Sequence, residues 1–225
     1  MPIFKTEDGS HSVMSEQFGV AYHSTHGAIQ ETQHVFIEAG LNNVWLQNLD
    51  EISILDIGFG TGLNAYMTFI EAERLGLKIR YVTYEKYPLS IEESEMLNYG
   101  SQLQYSDEIL KKMHNCAWFA SHELTPFFVF EKRLLPIESI DSQNDINLIY
   151  FDAFAPEIQP QLWEQPMMQK MYDALRSEGI LTTYCAKGAV KRALKAVGFM
   201  IEPLPGPPFK REITRARKLE LLQKM

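Results

Sequence analysis

Three carboxylates that close apolar runs, and three glycines set two apart behind the first of them, are the residues of this chain best equipped for chemistry. Asp56 ends Ile54-Leu-Asp, and Gly58, Gly60 and Gly62 follow at every second position. Glycine lets a backbone turn sharply out of a strand and lets a ligand come close. From Leu63 the apolar spacing is helical, so the turn lies between a strand and a helix N-terminus, with its unpaired N–H groups and partial positive charge. The glycine spacing differs from the dinucleotide fingerprint G-x-G-x-x-G. D-x-G-x-G-x-G suits S-adenosylmethionine, which has no pyrophosphate to cradle. Glu85 ends Tyr81-Val-Thr-Tyr-Glu about 20 residues on, where a carboxylate can accept both hydroxyls of a ribose. For Asp56 two roles stand open: a hydrogen bond to the glycine loop, or a contact with the amino-acid end of the cofactor.

Asp152 opens Asp-Ala-Phe-Ala-Pro156 at the end of another apolar run. A sulfonium methyl donor needs little activation; the enzyme must align the acceptor and leave its lone pair free. If the acceptor is an amine, a carboxylate can hold it by a charge-assisted hydrogen bond and take a proton. The competing role for Asp152 is a cap on the following turn. Phe59 and Phe154 either wall the site or belong to the core. His23, His26 and His34 lack a neighbouring cysteine or paired carboxylate, so no metal is expected. Cys116 and Cys185 read as small buried hydrophobes.

These residues need elements to hold them. The first 30 residues are polar and irregular, and Thr32 to Leu49 has amphipathic helical spacing. Strands are expected at Ile52–Ile57, Lys78–Glu85, Phe127–Glu131, Ile146–Asp152 and Gly179–Cys185. Helices are expected at Leu63–Leu75, twice within Ser90–Met113, at Met167–Leu175 and at Gly188–Val197. A hairpin around Pro205-Gly-Pro-Pro closes the chain. The alternation predicts an α/β, Rossmann-like fold: a mostly parallel, seven-stranded sheet covered on both faces, with a C-terminal antiparallel pair. In such sheets ligands bind beyond the carboxyl ends of the strands, where Asp56, Glu85 and Asp152 fall.

The 225 residues fit a single domain, 1–225, with residues 1–50 an N-terminal extension closing the site. No apolar run approaches a membrane span and no leader is evident, so a cytoplasmic protein with no membrane partner is expected. The net charge of −8 argues against a nucleic-acid partner, but the distribution argues the other way. Between Lys187 and Lys218 nine basic residues face two glutamates, a local charge of +7. That stretch is either a footprint for a phosphate backbone or a solvated helix face beside a charged strand.

Over residues 18–218 the chain resembles the methyltransferases that finish 5-methylaminomethyl-2-thiouridine at the tRNA wobble position, as stand-alone enzymes or as the N-terminal half of a bifunctional one. The matching segments are Tyr22–Glu38, Asp56–Asn64, Tyr84–Leu89, Phe151–Trp163, Gly198-Phe199 and Gly206–Glu212. Asp-Ala-Phe-Ala-Pro…Trp and Lys-Arg-Glu are the specific ones. The resemblance implies methyl transfer from S-adenosylmethionine to an aminomethyl uridine in the tRNA anticodon stem-loop; separately, a monomer is expected. It implies cofactor contacts from Asp56, Gly58, Phe59, Gly60, Thr61, Gly62, Asn64, Glu85, Lys86 and Asp152, with Asp152 also catalytic. Tyr22, Glu31, Phe154, Lys210 and Arg211 would face the substrate, with the Tyr22–Glu31 segment closing the site. Where the family often has Gly-Asp after the third strand, this chain has Phe130-Glu131-Lys132, which makes Glu131 the candidate acid for adenine. The bifunctional form continues into a flavin oxidase, for which this chain has no room, so no oxidase activity is expected. Two other readings stand beside this one: aminopropyl transfer, with Glu157 as the second acid, and a cofactor-binding module that docks on RNA without chemistry.

Overall fold

The structure, a computed structural model, describes residues 1–47 and 49–220. The first residues, expected to be irregular, form a small hairpin of β1 (Ile3–Lys5) and β2 (His11–Val13). Its turn caps the next helix: Asp8 accepts from the N–H of Gln30, and the Ser10 hydroxyl oxygen from those of Ala28 and Ile29. These bonds satisfy donors that a helix start leaves open. The helix begins as α1 (Ala28–Thr32), widens to a π-helical stretch at Gln33–Leu41 and ends as α2 (Asn42–Trp45). It starts earlier and stops sooner than its apolar spacing predicted. Asn48, inside the expected helix, lies outside the described residues.

The central strands are β3 (Ile52–Ile57), β4 (Ile79–Glu85), β5 (Ser121–Thr125), β6 (Phe128–Leu134), β7 (Ile146–Phe151), β8 (Leu175–Thr183), β9 (Met200–Pro205) and β10 (Glu212–Arg217). They form one sheet in the order β5-β6-β4-β3-β7-β8-β10-β9. From β6 to β8 the five strands are parallel; β5 at one edge and the β10-β9 pair at the other are antiparallel. Among the described residues the sheet has eight strands where seven were expected. The extra one is β5, whose exposed, polar Ser-His-Glu-Leu-Thr hides an edge strand.

Helix α3 (Leu63–Leu75) begins and ends where its spacing predicted, with left-handed glycines, Gly62 and Gly76, at its two ends. Between β4 and β5 lie three short helices, α4 (Ile91–Glu95), α5 (Tyr99–Leu103) and α6 (Glu108–Asn115), one more than expected. Helices α7 (Gln165–Ala174) and α8 (Gly188–Ala196) follow β7 and β8. Side chains alternate across a strand, and β3 shows the result. Ile52 and Ile54 pack into the core beneath α1 to α3, whereas Leu55 and Ile57 join the opposite core with α7 and α8. The chain reverses its winding between β3 and β7. That is the switch point where a ligand crevice opens. No helix among the described residues is long and apolar enough to cross a membrane.

Candidate active site

Two adjoining cavities open above the ends of β3, β4 and β7. The first takes its floor from Ile57–Thr61 and its walls from Glu85–Tyr87, Leu135–Glu138 and Asp152–Phe154. Gly58 and Gly60 both have positive φ, 92° and 50°. A Cβ on Gly60 would come within 2.9 Å of the Tyr22 ring, so only glycine admits this approach. Glu85 fixes the loop: its carboxylate accepts from Gly60 N–H at 2.8 Å and Tyr87 N–H at 2.7 Å. Burial pushes its pKa up, and these backbone donors oppose the shift. A carboxylate has about four acceptor positions, so one on each oxygen remains for a vicinal diol. The positive-φ cradle, the half-used carboxylate and the apolar wall Leu135-Pro136-Ile137 fit S-adenosylmethionine. Thr61, Leu63 and Asn64 also line this cavity, and exposed Lys86 borders it with its ammonium 5.2 Å above the Tyr87 ring.

The second cavity is lined by Tyr22–Ser24, His26, Glu31, Asp152–Ala155, Tyr184 and Pro207–Lys210. It shares Asp152, Ala153, Phe154, Tyr22 and His23 with the first. Asp152 is held from below: Thr32 Oγ1 donates to Asn64 Oδ1 at 3.0 Å, and Asn64 Nδ2 donates to Asp152 Oδ2 at 2.9 Å. Its Oδ1 is thereby left for another donor. Burial first, and Glu31 second, raise the pKa of Asp152 well above the carboxylate range, while the Asn64 bond and Lys210 oppose them. Lys210 Nζ stands 3.4 Å from Glu31 and 4.3 Å over the Tyr184 ring. Phe154 leans on Phe18 and Tyr22, with centroids at 4.8 and 5.1 Å. The backbone around it is pinned: Gln159 accepts the Phe154 N–H, Trp163 donates to the Phe154 carbonyl, and the Tyr184 hydroxyl donates to the Ala153 carbonyl.

Several expectations change. Asp56 lines neither cavity; strand alternation turns it into the core under α3, where it accepts from the Thr83 hydroxyl at 3.1 Å. Burial lifts its pKa to about 7. That position, away from both cavities, favours the structural role over a contact with the cofactor's amino-acid end. Gly62 likewise turns the chain into α3 without reaching the cavity. The Phe59 ring packs against His114 and Phe130, beneath the loop. Glu131 lines neither cavity: β6 runs on to Leu134, and Glu131 pairs with Arg133 at 2.6 Å along the strand. The acid bordering the cavity beyond β6 is Glu138. Glu157 pairs with Lys187 and lines neither cavity. Glu31 is the second acid beside Asp152. His23 bonds Thr61 Oγ1 at 2.8 Å, with burial lowering its pKa to about 4. His34 bonds the Pro205 carbonyl, and His26 stacks on Phe209. The three histidines therefore diverge.

The basic stretch is largely paired. Arg215 and Arg217 bind Glu202, Lys191 binds Glu212, and Lys218 donates to backbone carbonyls. Lys187, Arg192, Lys195 and Arg211 are exposed, the last on the β9–β10 turn outside both cavities. Missed by sequence reasoning were Phe18, His23, Thr32, Gln159 and Tyr184. Tyr184 follows the end of β8, so the strand-end rule could have found it; the contacts of Thr32 and His23 are tertiary and left no local signal.

A family described as S-adenosyl-L-methionine-dependent methyltransferases matches residues 102–219. The tRNA 5-methylaminomethyl-2-thiouridine biosynthesis bifunctional protein MnmC of Idiomarina loihiensis is 28% identical over 219 residues, covering 89% of this chain and 36% of that protein. The chain thus spans about a third of the length of such curated relatives. Among solved structures, MnmC2 from Aquifex aeolicus superposes with a TM-score of 0.78 at 22% identity, over 97% of this chain and 71% of that one. Spermidine synthase from Thermotoga maritima gives 0.57 at 13% identity, over 97% and 72%. Both share the fold.

Proposed function

We propose, since the chain belongs to the S-adenosyl-L-methionine-dependent methyltransferases, that it methylates the amine of 5-aminomethyl-(2-thio)uridine at the wobble position of tRNA. The observation that carries this reading is Asp152, one carboxylate walling both cavities at once. The cofactor supplies an electrophilic methyl on a sulfonium. Gly58, Gly60, Thr61, Asn64, Lys86 and Glu85 would hold it in the first cavity, Glu85 through the ribose hydroxyls, and Glu138 would be the acid available to the base.

The acceptor enters the second cavity as a cation, drawn by Glu31 and Asp152. Asn64 occupies Asp152 Oδ2, so Oδ1 accepts an N–H of the amine and takes its proton, turning the lone pair toward the methyl. A carboxylate with a raised pKa is the stronger base for that step. Phe154 and Tyr22 shield the reacting atoms from water. Lys210, drawn inward by Glu31, and Arg211, on the outer turn, face the RNA.

Aminopropyl transfer has one observation in its favour, the acid pair Asp152 and Glu31 in one cavity. Both readings are separated by one experiment. tRNA lacking the final methyl is incubated with the protein and methyl-labelled cofactor, and its nucleosides are analysed by mass. Label in 5-methylaminomethyl-2-thiouridine is the expected outcome. Unlabelled tRNA sinks the reading, and an aminopropyl adduct on a polyamine acceptor given decarboxylated cofactor would replace it.

A further inference from the structure

The turn between β9 and β10 carries an aromatic ring that the site chemistry does not use. Phe209 is 78% exposed and sits at the mouth of the second cavity. Its φ is +69°, a conformation that a bulky residue adopts only when its surroundings impose it. Pro207 and Pro208 stiffen the turn. Lys210 N–H donates back to the Pro207 carbonyl at 3.0 Å, and Gly206 N–H to the Arg211 carbonyl at 3.2 Å. One face of the Phe209 ring lies on His26, with centroids 4.3 Å apart and planes 21° from parallel. Its neighbour Lys210 dives inward to Glu31. Consecutive residues thus point into the cavity and stand at its rim.

One exposed cation shares this turn and others stand on the helix tied to it, while Glu7 meets the far edge of His26 at 3.1 Å. Arg211 is on the same turn, and Lys191, bound to Glu212, ties α8 with its exposed Arg192 and Lys195 to the base of the hairpin. A ring backed by a second ring and flanked by cations matches a base with its phosphates: a π-face to stack on and charges for the backbone.

We infer that Phe209, seated on His26, is a stacking platform for a nucleobase next to the modified uridine in single-stranded RNA. This rests on the proposed reaction at Asp152. Asp152 lies at the bottom of a cavity, so a loop nucleotide reaches it only by leaving its stack. The neighbour it abandons loses a stacking partner, and the outer face of Phe209 replaces that partner at the point of exit.

The test uses the full chain with an anticodon stem-loop RNA carrying 2-aminopurine on one side or the other of the wobble nucleotide. Stacking quenches this probe. The wild-type protein and Phe209→Trp are expected to quench it at one of the two positions with Kd values within about twofold of each other. Phe209→Ala and Phe209→Leu are expected to lose the quench and raise Kd about 5- to 100-fold, the worth of one stacked base. Unaltered affinity for S-adenosylmethionine shows that the variants are folded. Wild-type affinity and quench in Phe209→Leu, or quench at neither position in the wild type, would overturn the platform. A platform that quenches while the tRNA stays unmethylated would instead overturn the proposed reaction alone.

Discussion

The two cavities are built in opposite ways. The first takes its floor and one wall from one strand–loop–helix unit and the end of the adjacent strand, fastened by backbone donors: Gly58 to the Tyr84 carbonyl, Gly60 and Tyr87 to Glu85. The second is assembled from chain ends far apart in sequence, joined by side chains such as Glu31 with Lys210 and His26 with Phe209. Backbone bonds within a parallel core are part of the fold. Side-chain pairs between an N-terminal segment and a C-terminal hairpin can be exchanged without rebuilding the sheet. The donor side is therefore tied to the fold's stability, and the acceptor side is where specificity can vary.

The largest effect expected from breaking this division is at Asp152, where the halves meet. Asp152→Ala should cut single-turnover methylation by about 10²–10⁴ while calorimetric titration finds cofactor binding retained. A comparable loss of cofactor affinity would assign Asp152 to the donor side alone.

Asp56 belongs to the donor side through the core only, and pH tests that. Its folded-state pKa of about 7 lies above the unfolded value of 3.8. The folded state keeps the proton that the unfolded chain releases, so this group's stabilisation is complete below pH 4 and fades as pH rises toward 7. Asp56→Asn should therefore gain on the wild type by up to about 4 kcal/mol between those limits in urea melts. A flat difference would show that burial does not hold the proton there.

Glu85→Ala removes the acceptor of two loop donors together with the ribose contact. Cofactor Kd should rise about 10- to 100-fold, at about 1.5–3 kcal/mol for a charged hydrogen bond, with stem-loop affinity unmoved. Equal losses for both ligands would erase the distinction between the cavities.

The smallest effect is at Lys210, whose charge lowers the Asp152 pKa. Lys210→Met should move the acid limb of the rate profile to higher pH, since Asp152 then holds its proton longer. An unmoved limb would leave Lys210 with RNA contact alone.

Much of the donor side was legible because it is local. The Asp56–Asn64 run carries its turn glycines and helix start in consecutive residues, and Glu85 and Asp152 close apolar strands. Where local pattern misled, the causes are specific. Lys132 and Arg133 look like a strand end, yet Lys132 is buried beside Trp118 and β6 continues to Leu134. That extension carries the loop past Glu131 and brings Glu138 to the crevice. Asp56 sits on a strand end but on the wrong parity to see the cavity. The π-helical stretch is invisible to a 3.6-residue period, and β1 and β2 are three residues each. The pairing of Glu31 with Lys210 spans nearly the whole chain, which no local window reads.

Tyr22 and His23 wall both cavities, and that sets a timetable. The segment bearing them lies over Gly60, so on the proposed reaction an RNA in the second cavity would rest against the segment that borders the donor. That arrangement predicts donor binding before the RNA and departure of the spent donor after it, with one methyl per visit. Steady-state kinetics should be compulsory-ordered, with S-adenosylhomocysteine competing against the donor and not against the tRNA.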